Sequence, residues 1–324
     1  MVTLGWSRNR HLNYSFWRDR VALLSHPINS RKGSMRNILY ISYGSGLHEH
    51  EAVFSLLSAR HKMKQPAEDL RILVFTDHPE NFSGVPATVE YVAPGQWLEW
   101  SGPTFFNHRR KILALRLALK EYSTPTVLLD ADTWFRKSPL QLFDRISPGK
   151  TLMHIREARI SEIATPHGQK LAEFLTRESF IDSCGRPLSI PVDTFLWNAG
   201  VIGMDPADAP LLDDVLHLTD EFCARSNLHI LEQLAFSYVL ERRSHLFESQ
   251  DIVFHYWPPY LHEPFKKKLP ELIRKCSGLS LNERIQRYYP DRPRPTLPRR
   301  AKVVLKRCLQ TLGFLPGRSR SNEW

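Results

Sequence analysis

The strongest constraint on this chain is an alternation of short apolar runs with segments of helical period. Asn37-Ile-Leu-Tyr-Ile-Ser42 is rich in strand formers and ends at Tyr43-Gly44-Ser45-Gly46, a turn signal. Over Glu49 to His61, Val53, Leu56, Leu57 and Arg60 recur at i, i+3, i+4 and i+7, which predicts a helix with an apolar face and a basic edge. Leu70-Arg-Ile-Leu-Val-Phe-Thr76 reads as a second strand, closed by Asp77-His78-Pro79. Arg109 to Tyr122 places Ile112, Leu115, Leu119 and Tyr122 on one helical face, and Pro125 to Leu129 makes a short buried strand. Strands that alternate with helices predict an α/β fold whose sheet is mostly parallel and covered on both sides. Farther on, Ala199 to Met204 is a strand candidate, Ala209 to Arg225 and His229 to Arg243 are helix candidates, and a last strand, Asp251 to Phe254, stops at His255. No internal repeat is visible, and from Pro290 onward Pro, Arg and Lys dominate, which marks the end of the packed domain.

With 324 residues, 42% apolar and 24% charged, the chain has the proportions of a globular protein with one large α/β domain plus additions, or two average domains. Cys184, Cys223, Cys276 and Cys308 are far apart and show no zinc-ligand spacing, so neither a disulfide framework nor a structural zinc is expected and a reducing compartment fits. No run reaches the ~18 apolar residues of a spanning helix, and the basic N-terminus lacks the apolar core of a secretory signal. A cytoplasmic location is therefore the expectation. Residues 1–36 hold seven basic residues against one acidic, and residues 281–324 hold eleven against three, which leaves the body slightly acidic. That distribution predicts no nucleic-acid partner and instead an anionic surface facing the two ends.

In open α/β sheets ligands bind beyond the carboxyl ends of the strands, which directs attention to Tyr43, Asp77, Asp130 and Asp132. In Leu128-Leu-Asp130-Ala-Asp132-Thr-Trp134 a hydrophobic strand emerges directly into two carboxylates one residue apart, and a strand period of two turns both to the same side. Such acids repel unless a cation lies near them, and hard oxygen ligands suit Mg²⁺ or Mn²⁺. His255, at the end of the later strand, offers an imidazole to the same ion. Gly44 and Gly46 do not form GxGxxG, and neither GxxxxGK[ST] nor Gly-x-Ser-x-Gly occurs, which disfavours dinucleotide sites, phosphate-loop ATPases and serine hydrolases.

Over about residues 37–265 the order of motifs resembles the GT-A class of nucleotide-sugar-dependent glycosyltransferases. The motifs are the first strand, Phe75-Thr-Asp-His-Pro79, Arg109-Arg-Lys111 opening a helix, Asp130-Ala-Asp132, Trp197-Asn-Ala-Gly-Val201, Glu232-Gln233 and Phe254-His-Tyr-Trp257. The resemblance implies a GT-A (Rossmann-like) sheet, a Mn²⁺ or Mg²⁺ ion, and a nucleoside-diphosphate sugar, UDP-linked by expectation, as donor. It implies Asp132 as the first metal ligand, Asp130 sharing the metal or a ribose hydroxyl, and His255 as third ligand. Tyr43, Gly44 and Asp77 match positions that read base and ribose, and Asn198 and Gly200 match the loop lining donor and acceptor. Of the three consecutive bases at the helix start, one or two are expected to be plain solvated charge, and Lys111 is retained as the donor-binding one. Glu232 and Gln233 match the place beside the reacting carbon.

The chain departs from the glycogenin-like segment His-x-x-Gly-x-x-Lys-Pro-Trp, since Tyr256-Trp-Pro-Pro-Tyr260 follows His255, so Lys266, Lys267 or Lys268 would have to meet the diphosphate. Retention and inversion both stay open, and for an inverting reaction Asp193 and Glu232 are the candidate bases. The implied organisation is a basic N-terminal extension (1–36), a catalytic domain (37–265) and a basic C-terminal extension (266–324). Within the last, Ala301, Val304, Leu305, Cys308 and Leu312 fall on one side of a helical wheel, with basic residues opposite. Such a helix suits an anionic membrane interface and predicts a peripheral enzyme on the cytoplasmic face, with a glycan or glycolipid acceptor in cell-surface polysaccharide or lipopolysaccharide synthesis. A sugar nucleotidyltransferase is the alternative enzyme class, although its Gly-rich basic loop has no counterpart in Gly44-Ser-Gly-Leu-His48; a non-catalytic glycan-binding or scaffold protein is the third.

Overall fold

The computed structural model describes residues 35–44, 46–63, 67–276, 278–288 and 292–293. The basic leader up to residue 34, the amphipathic segment 299–312 and Cys308 lie outside the described residues. The first half of the chain forms β1 (Arg36–Ser42), α1 (Leu47–Lys62), β2 (Leu70–Thr76), β3 (Thr88–Tyr91), α2 (Pro94–Trp100), α3 (Arg109–Tyr122), β4 (Thr126–Leu129), β5 (Thr133–Phe135), α4 (Leu140–Phe143) and β6 (Lys150–Met153). The second half forms β7 (Arg156–Arg159), α5 (Pro166–Arg177), β8 (Phe180–Ile181), β9 (Pro187–Leu188), β10 (Phe195–Trp197), β11 (Val201–Met204), α6 (Leu211–Cys223), α7 (Leu231–Arg243), β12 (His245–Glu248), β13 (Val253–His255), α8 (Pro259–Lys275) and α9 (Leu281–Tyr288).

Seven strands make the main sheet in the order β12-β6-β11-β4-β1-β2-β3. β1 pairs in parallel with β2 and β4, β2 with β3, and β12 with β6, whereas β11 runs antiparallel to both of its neighbours. The architecture is thus α/β with a mostly parallel sheet, as expected. The strand period of two sends alternate side chains to opposite faces. Leu39, Leu73, Phe75, Leu128 and Ile202 enter one core with α3, α5, α6 and α7, while Ile38, Tyr40, Val74, Val127 and Leu129 enter another with α1 and α8. Because both faces are covered, the strands read as continuous apolar runs.

The structure differs from the sequence reading at two strands. The last strand begins at Val253 rather than Asp251, because the N–H groups of Ile252 and Val253 both donate to the Ser249 carbonyl at 2.9 Å in a turn that leads into it. That strand does not join the main sheet but pairs antiparallel with β5. The edge strand β12 follows α7 after a single residue, with no turn signal to mark it. α8 carries Leu261, Phe265, Leu269 and Leu272 into the core shared with α1.

Candidate active site

The carboxyl ends of β1, β2 and β4 lie side by side, and each delivers a residue singled out above. After β1, the Tyr43 ring packs on Trp97 with centroids 5.0 Å apart, and the Arg110 guanidinium lies 4.1 Å from its centroid on α3. After β2, both Asp77 carboxylate oxygens accept from the Gly44 N–H at 3.1 Å, which pins the turn where Gly44 has φ +73°. After β4, the chain turns through Asp130 and Asp132 into β5, and the Asp130 N–H donates to the Gly200 carbonyl at 2.9 Å.

β13 brings His255 across to these acids, and one ligand atom from each of Asp130, Asp132 and His255 lies within 4.8 Å of the other two. His255 Nε2 is 3.1 Å from Asp132 Oδ1 and 3.9 Å from Asp130 Oδ2. Metal–ligand bonds of about 2.1 Å put ligands at right angles about 3 Å apart and opposite ligands about 4.2 Å apart, and both His255 separations fall within that span. Two carboxylates and an imidazole form a donor set that Mn²⁺ accepts, and Mg²⁺ accepts its oxygens.

Electrostatics support the same view. Burial disfavours the charged form of Asp132, but the charge and hydrogen bond of His255, then His262 and Lys111, outweigh it and hold the carboxyl well below the ordinary range. Burial likewise opposes protonation of His255, yet the charge and hydrogen bond of Asp132 and the charge of Asp130 raise its pKa. The edge of His154 packs against the His255 ring, with centroids 5.5 Å apart. Burial, helped by the charge of His255, pushes the His154 imidazole down to about 3, so it stays neutral.

The other nitrogen of His255 is also fixed. Nδ1 lies 2.8 Å from Asn198 Oδ1, an acceptor, so Nδ1 carries a proton; Nε2 is the nitrogen that faces the acids, bonded to Asp132 while the imidazole is charged and offering its lone pair only to a cation that takes the place of that proton. Gly200 leaves room for the ring: a Cβ there would stand 2.2 Å from Nδ1 and 2.4 Å from Cε1. Gly200 therefore admits the imidazole itself.

The three bases that open α3 are all engaged, which corrects the expectation that one or two are merely solvated. Arg109 forms a two-pronged pair with Asp220 at 2.6 and 3.0 Å, and Arg110 donates to Ser101 Oγ at 2.7 Å. They splay to three partners because successive residues on a helix point about 100° apart. Lys111, 10% exposed, contacts Asp130 at 2.7 Å and Glu232 at 3.3 Å. Glu232, in the first turn of α7, is buried at 4% exposure, and Gln233 beside it donates to Glu157 Oε2 at 3.2 Å. Asp193 is not brought into this cluster: its side chain, 71% exposed, pairs with Arg159 at 3.2 Å and accepts from Ser161. Sequence reasoning missed Glu157, His154, Trp97 and the fully buried Glu51, which contacts His262 at 2.9 Å. Tyr43, Asp77, Asp130, Asp132 and His255 announced themselves by following apolar runs.

No protein-family model matches the sequence, and neither does the sequence of any curated protein. Among solved structures, the chain is similar to mouse xyloside xylosyltransferase 1 in its apo form, at TM-score 0.45 and 14% identity over 67% of this chain and 85% of that one. It is similar to the WbbM bifunctional glycosyltransferase, apo, at TM-score 0.45 and 11% identity over 79% of this chain and 53% of that one. It is also similar to the galactosyltransferase LgtC, solved with donor and acceptor sugar analogs, at TM-score 0.44 and 14% identity over 82% of this chain and 99% of that one. The functional reading below is argued from the site.

Proposed function

We propose that this chain is a metal-dependent glycosyltransferase of GT-A type that moves a sugar from a nucleoside-diphosphate donor, UDP-linked, to a glycan or glycolipid acceptor. The observation that carries the proposal is the convergence of Asp130, Asp132 and His255 at the carboxyl edge of the sheet. Asp132 and His255 are the first ligands, and Asp130, which also meets Lys111, shares the metal or a ribose hydroxyl. When bound, the divalent ion supplies Lewis-acid neutralisation of the charge that grows on the departing nucleoside diphosphate. Tyr43, Gly44 and Asp77 on the neighbouring strand ends are assigned to base and ribose, and Asn198 and Gly200 to the wall below the imidazole. Glu232, joined to Asp130 through Lys111, is assigned the role beside the reacting carbon together with Gln233; Asp193, the other base candidate, stands apart from them.

Thermal-shift measurements test this reading. UDP is expected to raise the wild-type melting temperature only with Mn²⁺ or Mg²⁺ present, because a ligand that binds the native state stabilises it by RT ln(1 + [L]/Kd). Asp132→Ala is expected to remove that response and Mn²⁺ binding while still unfolding cooperatively. A wild-type response to nucleoside triphosphates alone sinks the reading in favour of a nucleotidyltransferase.

Among the described residues no helix is long and apolar enough to cross a membrane. Peripheral attachment through the basic C-terminal segment, which would bring the enzyme to a lipid-linked acceptor, is part of the proposal. It predicts that a chain ending at Tyr289 loses most of the co-sedimentation with anionic vesicles that the full chain shows. Equal co-sedimentation of the two refutes it.

A further inference from the structure

Glu157 has no part in the reading above, yet it stands at the outer end of a hydrogen-bonded series that ends on His255. Gln233 Nε2 donates to Glu157 Oε2 at 3.2 Å, and Asn198 Nδ2 donates to Glu157 Oε1 at 3.1 Å. Asn198 Oδ1 in turn accepts from His255 Nδ1 at 2.8 Å and from the Gly200 N–H at 3.0 Å. The backbone is shaped for this contact. In the β7–β10 ladder Leu196 pairs with Ala158 and Trp197 pairs with Arg156, so Glu157 has no partner opposite. It is the extra residue of a β-bulge, a device that re-aims one side chain out of a regular ladder.

An asparagine amide has a donor end and an acceptor end that are nearly identical in shape. If Asn198 turned over, its NH₂ would face His255 Nδ1 and favour the tautomer whose proton sits on Nε2, the nitrogen that faces Asp132. A carboxylate accepts only, so Glu157 holds the NH₂ end toward itself and leaves Oδ1 for the imidazole. The Gly200 N–H holds the same orientation from the other side.

We propose that Glu157 is a positioning residue for the cation site, acting through Asn198 to keep His255 Nε2 available to a divalent ion. The inference rests on the metal reading of Asp130, Asp132 and His255 and adds to it a residue that touches none of them. Outer-layer partners of metal-binding histidines are typically worth about 10–100-fold in metal affinity. With Gly200 as a second constraint, a loss of about 10-fold is expected on removal of Glu157.

Mn²⁺ titration followed by electron paramagnetic resonance tests the proposal on wild type, Glu157→Ala, Glu157→Gln and Asp132→Ala, with nitrogen-15 NMR of the imidazoles above the titration of His255. Glu157→Ala is expected to bind Mn²⁺ about 10-fold more weakly and to populate both His255 tautomers. Glu157→Gln keeps an acceptor for Asn198, and Gln233 can turn its own amide to meet it, so near wild-type affinity and a single Nδ1–H tautomer are expected. Wild-type Mn²⁺ affinity in Glu157→Ala overturns the proposal. An equal loss in Glu157→Gln also overturns it, because the carboxylate charge and not the amide orientation would then be responsible. Should Glu157→Ala fail to fold, the tautomer and affinity of Glu157→Gln still decide between these outcomes. Undiminished binding by Asp132→Ala would instead discard the metal reading itself.

Discussion

Gly200→Ala is expected to abolish Mn²⁺ binding and to destabilise the fold by about 1–3 kcal/mol, the usual penalty for forcing a methyl group into a packed site. The added Cβ would lie 2.2 Å from His255 Nδ1 and 2.4 Å from Cε1, so the ring has to leave. It is enclosed, at 6% exposure, with Asn198 on one nitrogen and Asp132 on the other, and both bonds break when it moves. Backbone strain contributes nothing, since Gly200 is not among the glycines with positive φ. The clash therefore predicts a coupling. His255→Ala removes the group that the new methyl strikes, so the double variant should be more stable than the sum of the two single effects by roughly 0.5–3 kcal/mol, the range seen for residues in contact. Urea unfolding of the four proteins measures this. Strict additivity would mean that the methyl group is accommodated elsewhere.

This packing illustrates what the sequence does and does not reveal. Glycine in Trp197-Asn-Ala-Gly-Val201 was readable as a point of close approach, but the approaching group, His255, is 55 positions away in the chain and was identifiable only as a ligand candidate. Elements marked by both period and punctuation, such as α3 and β2, were fully legible. β11 was legible as a strand but not as an antiparallel one, because direction depends on the connection from β10 and leaves no trace in local hydrophobicity. Asp130 and Asp132 follow an apolar strand and stand out, whereas Glu157 sits in Arg156-Glu-Ala-Arg159, whose pattern is that of an exposed edge. Its significance comes from a bulge and from partners 41 and 76 positions away. The three bases at the start of α3 show the same limit: their charges are visible, but their separation onto Asp220, Ser101 with Tyr43, and Asp130 with Glu232 is tertiary.

Lys111→Met is expected to cost about 3–5 kcal/mol, as does breaking an enclosed ion pair from one side. The variant keeps most of the side-chain volume but leaves Asp130 and the buried Glu232 facing each other across the place where the ammonium stood, 2.7 Å from one and 3.3 Å from the other. Burial alone would lower the Lys111 pKa; the charges and hydrogen bonds of the two acids reverse that and raise it above its ordinary value. A raised folded-state pKa gives stability that is complete below the unfolded lysine value of about 10.4 and is lost only as pH rises through the folded one, so the contribution is intact across the neutral range. Urea unfolding of the variant and of wild type at neutral pH measures the deficit, and equal stability of the two would contradict this account. Mn²⁺ separates the two roles of Asp130. If that carboxylate shares the metal with Asp132, releasing it from Lys111 strengthens cation binding, and by linkage Mn²⁺ should raise the melting temperature of the variant more than that of wild type. An equal rise in both would assign Asp130 to the lysine alone and leave Asp132 and His255 as the only protein ligands.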